Sequence, residues 1–230
     1  MRLHDPKVTE VVIATKNAGK VKEFEALFGA QGIVVRSLRD YPDIADIPED
    51  GDTFAANALI KARAVAAILG APVIADDSGL AVDRLGGAPG VYSARYAGEP
   101  CDDTANNRKL LEELRRLGPA STDSEGEAGP DRGAAGGSGE PVRLSGAQFI
   151  CSIAFVDAEG KQIALVQGEC PGEVLDGPRG AGGFGYDPLF YVPQLGRSMA
   201  ELTMEEKNAI SHRGQALRKL WAELEEAERV

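Results

Sequence analysis

Cysteine, histidine and long apolar runs are all scarce in this chain of 230 residues. It has three cysteines and two histidines, with no C-x-x-C spacing, which disfavours both a disulfide framework and a structural zinc site. We expect Cys101, Cys151 and Cys170 to be buried thiols. No run approaches the roughly 20 apolar residues that span a bilayer, and residues 1–6 lack the apolar core of a signal peptide. We therefore expect a soluble, cytoplasmic protein that does not bind membranes.

Basic residues are also outnumbered. The chain has 25 Lys and Arg against 36 Asp and Glu, a formal net charge of -11. This is the wrong sign for a protein that grips a nucleic-acid backbone through a broad basic face. We expect no nucleic-acid partner, and any phosphate group should be bound in a local pocket. An acidic exterior is compatible with recruiting a divalent cation.

Hydrophobic patterning predicts alternating strands and helices in the first half of the chain. A β-branched strand at 8–15 is followed by a helix with Asn17 as its N-cap that ends near Gly29. A short strand is predicted at 33–35, and a long helix from Thr53 to Gly70. The apolar run at 72–75 predicts a buried strand that ends in the turn Asp-Asp-Ser-Gly at 76–79, with a short strand at 80–82.

The second half begins with an amphipathic helix from about Asp103 and contains an antiparallel hairpin, with strands at 147–156 and 163–166 around a turn at 157–160. A glycine-rich loop at 177–185 precedes the last helix, which starts near Ser211. Its core face is Leu217, Leu220, Trp221 and Leu224. Parallel-type units followed by a hairpin predict a mixed α/β sheet in an elongated protein.

Residues 119–141 contain no Leu, Ile, Val or Phe and are dominated by Gly, Ala, Ser, Pro and acids. Such a composition cannot bury enough surface to offset the entropy of ordering. We interpret this stretch as a flexible insertion within a single domain of two lobes that spans residues 1–230.

Two adjacent carboxylates, Asp76 and Asp77, stand where the apolar run at 72–75 stops. Ligands of open α/β sheets collect beyond the carboxyl ends of strands, so the pair suggests metal binding or base catalysis. A second interpretation is that the acids and Ser78 cap a turn to which Gly79 gives backbone freedom. The hexapeptide alone does not decide between them.

A strand-to-helix turn at 15–20 carries Gly19 and, in the first helical turn, Lys20. Backbone amides at a helix N-terminus together with an ammonium group form an anion site suited to a phosphate chain. The segment is neither a Walker A loop nor a G-x-G-x-x-G turn. An N-cap asparagine beside exposed lysines would explain the same residues without a ligand.

Asn57 and Lys61 lie four residues apart on the long helix, opposite most of its aliphatic face, so both side chains can point to one place. A lone helical lysine is more often a surface residue. Glu49 becomes informative only if it faces Asp77, because Mg²⁺ takes a few carboxylates together with water and phosphate oxygens.

Phe184 lies between glycines, and Tyr186 follows two residues later. Glycines let a backbone approach a flat ligand, and an aromatic face stacks on a base with about 1 to 3 kcal/mol. The alternative is a turn whose aromatics fill the core. His212 and Arg213 open the last helix and offer donors to a base edge, although a capping Ser211 before exposed polar residues would explain them equally well.

Five blocks, in this order, carry a family resemblance: ATKNAGK at 14–20, ADDSGLAV at 75–82, GGAPGVYSARY at 86–96, GGFGYDPLF at 182–190 and SHRG at 211–214. Together they resemble the Ham1/RdgB family of inosine and xanthosine triphosphate pyrophosphatases, over residues 11–224 and interrupted by the insertion. Lys16 departs from the glycine that is common in the family.

The resemblance implies an elongated α/β fold of the Maf/Ham1 type with a central nucleotide-binding cleft, in a homodimer. It also implies Mg²⁺-dependent hydrolysis of ITP, dITP and XTP to the monophosphate and pyrophosphate, which cleanses the nucleotide pool. The implied metal ligands are Asp77 and Glu49, with Asp77 also the catalytic base and Asp76 a supporting carboxylate. The implied triphosphate-binding residues are Thr15, Lys16, Asn17, Ala18, Gly19, Lys20 and Lys61. The implied nucleotide-pocket residues are Ser78, Phe184, Gly185, Tyr186, Asp187, Lys207, His212 and Arg213.

Two other functions fit parts of the same pattern. A Maf-like pyrophosphatase of pyrimidine or modified nucleotides would share the chemistry on a related fold. A non-catalytic nucleotide-binding protein would share the cleft but would not need every catalytic acid and lysine. In the favoured interpretation, donors on His212 or Arg213 meet the 6-oxo group of the base, whereas the sequence assigns no residue to the rejection of GTP.

Overall fold

The computed structural model describes residues 10–118 and 141–227, and within these ranges a single mixed sheet carries helices on its faces. The strands are β1 (Glu10–Ile13), β2 (Val34–Ser37), β3 (Val73–Val82), β4 (Arg143–Val156), β5 (Gln162–Leu175), β6 (Phe190–Val192) and β7 (Arg197–Ser198). The α-helices are α1 (Ala18–Gly29), α2 (Phe54–Leu69), α3 (Asp103–Arg116), α4 (Met204–Ile210) and α5 (His212–Ala227).

The strand order is β2-β1-β3-β4-β5-β6-β7, with β1 parallel to β2 and β3 and all later pairs antiparallel. The mixed α/β sheet predicted from the element order is therefore confirmed. β4 and β5 have 14 residues each, which corresponds to a ribbon roughly 45 Å long. This ribbon joins the parallel end of the sheet to its antiparallel end.

Three apolar cores follow from this arrangement. α1 and α5 cover one face of the parallel end, with Phe24, Phe28 and Leu220 buried between them. α2 covers the opposite face through small side chains such as Ala58 and Ala62. The third core lies at the antiparallel end, under α3 and the loop that follows β5. The central part of β3 runs between these cores, and it carries the two aspartates.

The prediction that β3 ends at Ala75 is wrong. The strand continues through Val82, and every residue from Val73 onward pairs with β4. A tetrapeptide that favours a turn locally is held extended here because the long edge of β4 supplies partners along its whole length. Gly79 does not provide turn flexibility. A Cβ at this position would come within 2.3 Å of Ser93 Oγ, so the glycine allows a close approach of two segments.

Other predictions of local structure are partly corrected. β5 extends well beyond the predicted 163–166, because β4 offers it a partner over 14 residues. The seven-residue helix α4 was missed. Cys151 and Cys170 are buried as expected, but Cys101 is exposed because it lies in the loop before α3. The proposed insertion falls, apart from Pro141, outside the described residues.

The predicted helix ends agree closely with the structure. Asn17 caps α1 by accepting a hydrogen bond from the Lys20 amide, and Thr53 caps α2 in the same way through Ala56. Gly70 ends α2 with a left-handed backbone. None of the helices in 10–118 and 141–227 combines the length and apolar content that a bilayer crossing requires.

Candidate active site

The two aspartates of β3 point to opposite faces of the sheet, because successive side chains of a strand alternate. Asp76 faces α1 and α5, and Asp77 faces α2. Each meets a lysine: Lys20 Nζ lies 3.0 Å from Asp76 Oδ2, and Lys61 Nζ lies 3.6 Å from Asp77 Oδ1. The adjacent pair therefore belongs to two different clusters of charged side chains.

The Asp77 carboxylate is held by two hydrogen bonds and one ion pair. Asn57 Nδ2 donates to Oδ2 at 3.0 Å, the Ser78 amide donates to Oδ1 at 3.0 Å, and the Lys61 ammonium lies beside Oδ1. The four-residue spacing does bring Asn57 and Lys61 to one place. Both are buried, so the expectation that they lie opposite the packed face of α2 is wrong. Asn57 and Lys61 are the polar residues of the buried face of α2, and both contact Asp77 of β3.

Glu49 lies on the far side of the same lysine. Its Oε2 is 3.1 Å from Lys61 Nζ, and Arg95 donates to its backbone carbonyl at 3.1 Å. Burial raises the pKa of Asp77, and Glu49 raises it further, against the opposing effect of Lys61. Burial also acts on Lys61, but Asp77, Asp76 and Glu49 outweigh it and keep the pKa of this lysine above its usual value. Glu49 and Asp77 are thus bridged by one ammonium group.

The donor set suits a hard cation with few protein ligands. Within the described ranges, no group of three or more His, Cys, Asp or Glu side chains is arranged to hold a metal ion. Glu49 and Asp77 therefore supply two carboxylates only. This is how Mg²⁺ is commonly bound, since it retains water and takes the remaining oxygens from substrate phosphates.

The segment from β1 to α1 forms the other wall of the cleft. The Asn17 amide donates to Thr15 Oγ1 at 3.2 Å and the Lys20 amide donates to Asn17 Oδ1 at 3.0 Å, which leaves the amides at 18 and 19 without an intrahelical acceptor. Lys16 Nζ donates to Ile44 O at 2.8 Å and to Asp46 at 2.9 Å. The Lys16 ammonium is therefore already bound by the loop at 44–46, whereas Lys20 reaches inward to Asp76.

Gly19 lies directly under the ring of Phe184. A Cβ on Gly19 would come within 2.4 to 2.8 Å of three ring atoms of Phe184. The phenylalanine is only partly buried, and its ring is 4.7 Å from Lys207 Nζ. The start of α1 and the loop at 182–187 therefore meet through this one aromatic contact.

The resemblance implies a nucleotide substrate whose base stacks on Phe184, and on that expectation Gly19→Ala should raise the KM for the nucleotide about tenfold. The added methyl group must displace the Phe184 ring, which weakens its stacking on the base. The control is Gly29→Ala on the same helix, where nothing lies within 4 Å of the added Cβ. Steady-state kinetics with ITP measure the effect. A KM for Gly19→Ala equal to that of the control would contradict the assignment of Phe184 to the site.

Hydrogen bonds at Phe184 and Gly185 fix the loop at 182–187. The Phe184 amide donates to Asp187 Oδ2 at 2.8 Å, while Asp103 accepts from the Gly185 amide at 2.7 Å and Asn107 donates to the Gly185 carbonyl at 2.9 Å. Tyr186 is buried, and its hydroxyl donates to Ser93 O at 2.9 Å. Of the two aromatics, Phe184 is the more exposed.

Arg213 is 1% exposed and is surrounded by acceptors. Its Nη2 donates to Asp76 Oδ2 at 2.7 Å and to Ser78 Oγ at 2.9 Å, its Nε donates to the same Asp76 oxygen, and its Nη1 donates to Glu23 Oε2. These bonds leave one N–H of Nη1 for another acceptor. Asp76 is therefore the buried partner of Lys20 and Arg213 rather than a ligand in the Asp77 cluster.

Glu23 was missed by sequence analysis. It is 1% exposed on α1, and its Oε1 lies 2.7 Å from Lys207 Nζ. Burial would raise the pKa of Glu23, but Arg213 and Lys207 outweigh it and lower the value to about 2. A helical glutamate is normally exposed. The available signal was its position beside Phe24, on the inward face of the helix.

His212 is buried and uncharged. Its ring stacks on Phe149 with 4.8 Å between centroids, and no described residue forms a hydrogen bond with its buried Nδ1. Burial, reinforced by Arg213, holds the pKa of His212 well below 6.5. At neutral pH its imidazole therefore offers one donor and one acceptor.

Two of the groups with shifted pKa values, His212 and Glu23, predict how the free energy of unfolding depends on pH. Folded His212 resists the proton that the unfolded chain takes up below about pH 6.5, so the unfolding free energy falls below that pH by up to about 1.4 kcal/mol per unit. Glu23 has a lowered folded pKa, so its contribution is complete above pH 4.5 and is lost as the pH falls towards about 2.

Denaturant titrations from pH 8 to pH 4 test this expectation. His212→Gln should remove the slope just below pH 6.5. His4→Gln, at the chain's other histidine, is the control and should retain it. An unchanged slope in His212→Gln would contradict a neutral buried imidazole.

These side chains surround one cavity of about 310 Å³, a size at the lower end for small-molecule sites. It is lined by most of the predicted residues: Thr15, Lys16, Asn17, Lys20, Glu49, Lys61, Asp77, Ser78, Phe184, Gly185, Tyr186, Asp187, Lys207, His212 and Arg213. Ala18 and Gly19 were predicted but do not line it. Asp46, Arg95, Asp103 and Phe149 line it and were not predicted; Arg95 lies in one of the family blocks, which is the signal that could have found it.

A mixed α/β sheet whose cavity brings a helix N-terminus and three lysines together with their paired carboxylates is typical of proteins that bind phosphorylated ligands. The sequence model of the Ham1 family matches residues 11–128 and 135–223. The chain belongs to the Ham1 family.

Known proteins agree with this assignment over nearly the whole chain. It is 51% identical over 217 residues to the dITP/XTP pyrophosphatase of Geobacillus kaustophilus, which covers 94% of this chain and 95% of that protein. The solved Ham1 protein of Staphylococcus aureus is 41% identical with a TM-score of 0.72, covering 95% and 99% of the two chains. A HAM1 protein from Coxiella burnetii is 40% identical with a TM-score of 0.73, covering 94% and 98%.

Proposed function

We propose that this chain hydrolyses the non-canonical purine nucleoside triphosphates ITP, dITP and XTP to the monophosphate and pyrophosphate. The observation that carries the proposal is that one cavity joins the cluster of Asp77, Lys61 and Glu49 to the start of α1 and, on its other side, to Phe184 and His212. The relative from Geobacillus kaustophilus, which is 51% identical to this chain, is named dITP/XTP pyrophosphatase. The same activity would remove non-canonical purine nucleoside triphosphates from the nucleotide pool.

The Asp77 carboxylate is the base in this reaction. It takes a proton from the water that attacks the α-phosphorus, and the Asn57 side chain and the Ser78 amide hold the carboxylate in place through hydrogen bonds of 3.0 Å. The amides at the start of α1, together with Lys20 and Lys61, bind the phosphate chain and balance the charge on the departing pyrophosphate. General-base help contributes about 10² to 10⁴ in rate, so positioning and charge neutralisation supply most of the acceleration.

Mg²⁺ completes the proposed site. Asp77 and Glu49 would hold it, and the ion would add positive charge where the phosphate oxygens become more negative. Lys61 contacts both carboxylates, so its ammonium keeps the two acids together when only the protein is present. The same ammonium would add a positive charge beside a bound phosphate chain.

Selectivity among purine bases follows from hydrogen-bond donors at the end of the cavity that holds Phe184 and His212. The 6-oxo group of hypoxanthine and xanthine is an acceptor, which the N–H of neutral His212 or the remaining Nη1 N–H of Arg213 can meet. The 6-amino group of adenine would present a donor to these donors. Such a mismatch reduces kcat/KM by factors of up to about 10⁴. Guanine also carries a 6-oxo group, and we expect GTP to be the main competing substrate.

A substrate panel tests the function. With Mg²⁺, we expect rapid pyrophosphate release from ITP, dITP and XTP, slow release from GTP, and little from ATP, dUTP or dTTP. EDTA should stop the reaction. A preference for dUTP or dTTP would indicate the Maf-like alternative, and binding of ITP without pyrophosphate release would indicate a nucleotide-binding protein.

The remaining expectations belong to the same proposal. We infer a cytoplasmic homodimer in which each chain folds as one domain of two lobes. Light scattering of the purified protein should give twice the chain mass of 24.2 kDa. Deleting residues 119–141 should leave kcat intact, and a large loss of kcat would contradict their interpretation as an insertion.

A further inference from the structure

Six charged side chains form a continuous chain of contacts that alternates in sign from α1 to the loop at 182–187. We call it the charge chain; its members are Lys20, Asp76, Arg213, Glu23, Lys207 and Asp187. The successive contacts, apart from the short Arg213 to Glu23 bond, are 3.0, 2.7, 2.7 and 2.5 Å long. Each side chain is at most 14% exposed. Three positive and three negative groups leave the charge chain with no formal net charge.

Glu23 occupies the middle of the charge chain and lies behind the cavity wall. Lys207, Arg213 and Asp187 line the cavity, whereas Glu23 contacts two of them from α1 without lining it. Lys207 Nζ is 4.7 Å and Arg213 Cζ is 6.0 Å from the centroid of the Phe184 ring. The two cations that Glu23 neutralises are therefore those beside the aromatic residue assigned to the base.

We propose that Glu23 is a specificity-determining residue, which keeps the cavity wall behind the base electrically neutral and thereby lets the enzyme accept both hypoxanthine and xanthine. The inference rests on the proposed function. The xanthine base loses a proton close to neutral pH, whereas hypoxanthine stays uncharged. A neutral wall does not favour the anionic base, and a wall with one excess positive charge does.

The main test compares Glu23→Gln, which removes the negative charge, with Glu23→Asp, which keeps it on a shorter side chain. The measured quantity is the ratio of kcat/KM for XTP to that for ITP at about pH 8, where xanthine is anionic and hypoxanthine neutral, in low salt. We expect Glu23→Gln to raise this ratio about fivefold or more, the effect of one unit charge near a partly shielded site. Glu23→Asp should change it by less than about twofold. Equal shifts in both variants would show a structural role and overturn the proposal.

The direction of the effect on this ratio is tested by removing the positive charge of Lys207, which forms an ion pair with Glu23. Lys207→Met removes a positive charge and should lower the same ratio about fivefold, although overall activity also falls. The double variant Glu23→Gln with Lys207→Met is neutral again, so its ratio should return to within about twofold of wild type. Removing both members of a buried ion pair is often tolerated where removing one is not, so the double variant remains informative if Glu23→Gln does not fold.

A ratio that shifts in the same direction in Glu23→Gln and Lys207→Met, or that does not return in the double variant, would overturn the role of Glu23. Failure of the inference about Glu23 can be told apart from failure of the proposed function. If wild-type protein releases no pyrophosphate from ITP or XTP, the proposed function is wrong and this inference falls with it. If wild type cleaves both and the ratio ignores the charge at position 23, only the inference is wrong.

Discussion

Asp77→Asn is expected to lower kcat for ITP by about 10³-fold or more, because the amide neither accepts the proton of the attacking water nor matches a carboxylate as a metal ligand. Asparagine has nearly the same shape but only one side-chain oxygen, so it keeps one of the two bonds that Asn57 and the Ser78 amide donate to the separate oxygens of Asp77. We therefore expect a folded protein with a lowered thermal midpoint, since one buried donor loses its acceptor. The measurement is single-turnover release of pyrophosphate, with circular dichroism to establish folding.

The control for this variant is Asp43→Asn, an acid in an exposed turn that does not line the cavity, and this variant should keep kcat within about twofold of wild type. If Asp77→Asn folded and retained a kcat within about tenfold of wild type, a general base at Asp77 would be excluded.

Arg213→Ala is expected to cause the largest loss of stability. It leaves Asp76 and Glu23 buried at 0% and 1% exposure without their shared guanidinium. Removing one partner of a buried ion pair costs about 3 to 5 kcal/mol, since an uncompensated charge remains in a poorly solvated site. For a chain of this length, that corresponds to a fall of roughly 10 °C in the thermal midpoint.

Arg218→Ala on the same helix is the matched control. Arg218 is exposed and donates only to backbone carbonyls at 208 and 209 among the bonds that the structure describes for it. Its loss should cost less than about 1 kcal/mol. Calorimetry of both variants gives the comparison, and similar midpoints would contradict a stabilising role for the buried Arg213.

The parts of the fold that local signals control were predictable from the sequence. Caps at Asn17 and Thr53 and the left-handed Gly70 set the ends of α1 and α2, and each depends on a side chain or backbone preference within one helical turn. The turn at 157–160 likewise joins β4 to β5 as predicted. These features need no knowledge of distant segments.

Long-range pairing accounts for what could not be predicted. Asp76 and Asp77 were placed in a turn, but pairing with β4 keeps them extended and directs them to opposite faces of the sheet. The role of Asp76 depends on Arg213, which lies 137 residues away, and the burial of Glu23 depends on the same arginine at a distance of 190 residues. No local pattern encodes such contacts, whereas the family blocks located most of the cavity-lining residues.

One turnover of ITP in water labelled with heavy oxygen shows which phosphorus atom the water attacks, because the label enters the product that carries that atom. If the cavity directs water to the α-phosphorus, mass spectrometry should find labelled inosine monophosphate and unlabelled pyrophosphate. Label in the pyrophosphate, or inosine diphosphate with orthophosphate as the products, would contradict attack at the α-phosphorus.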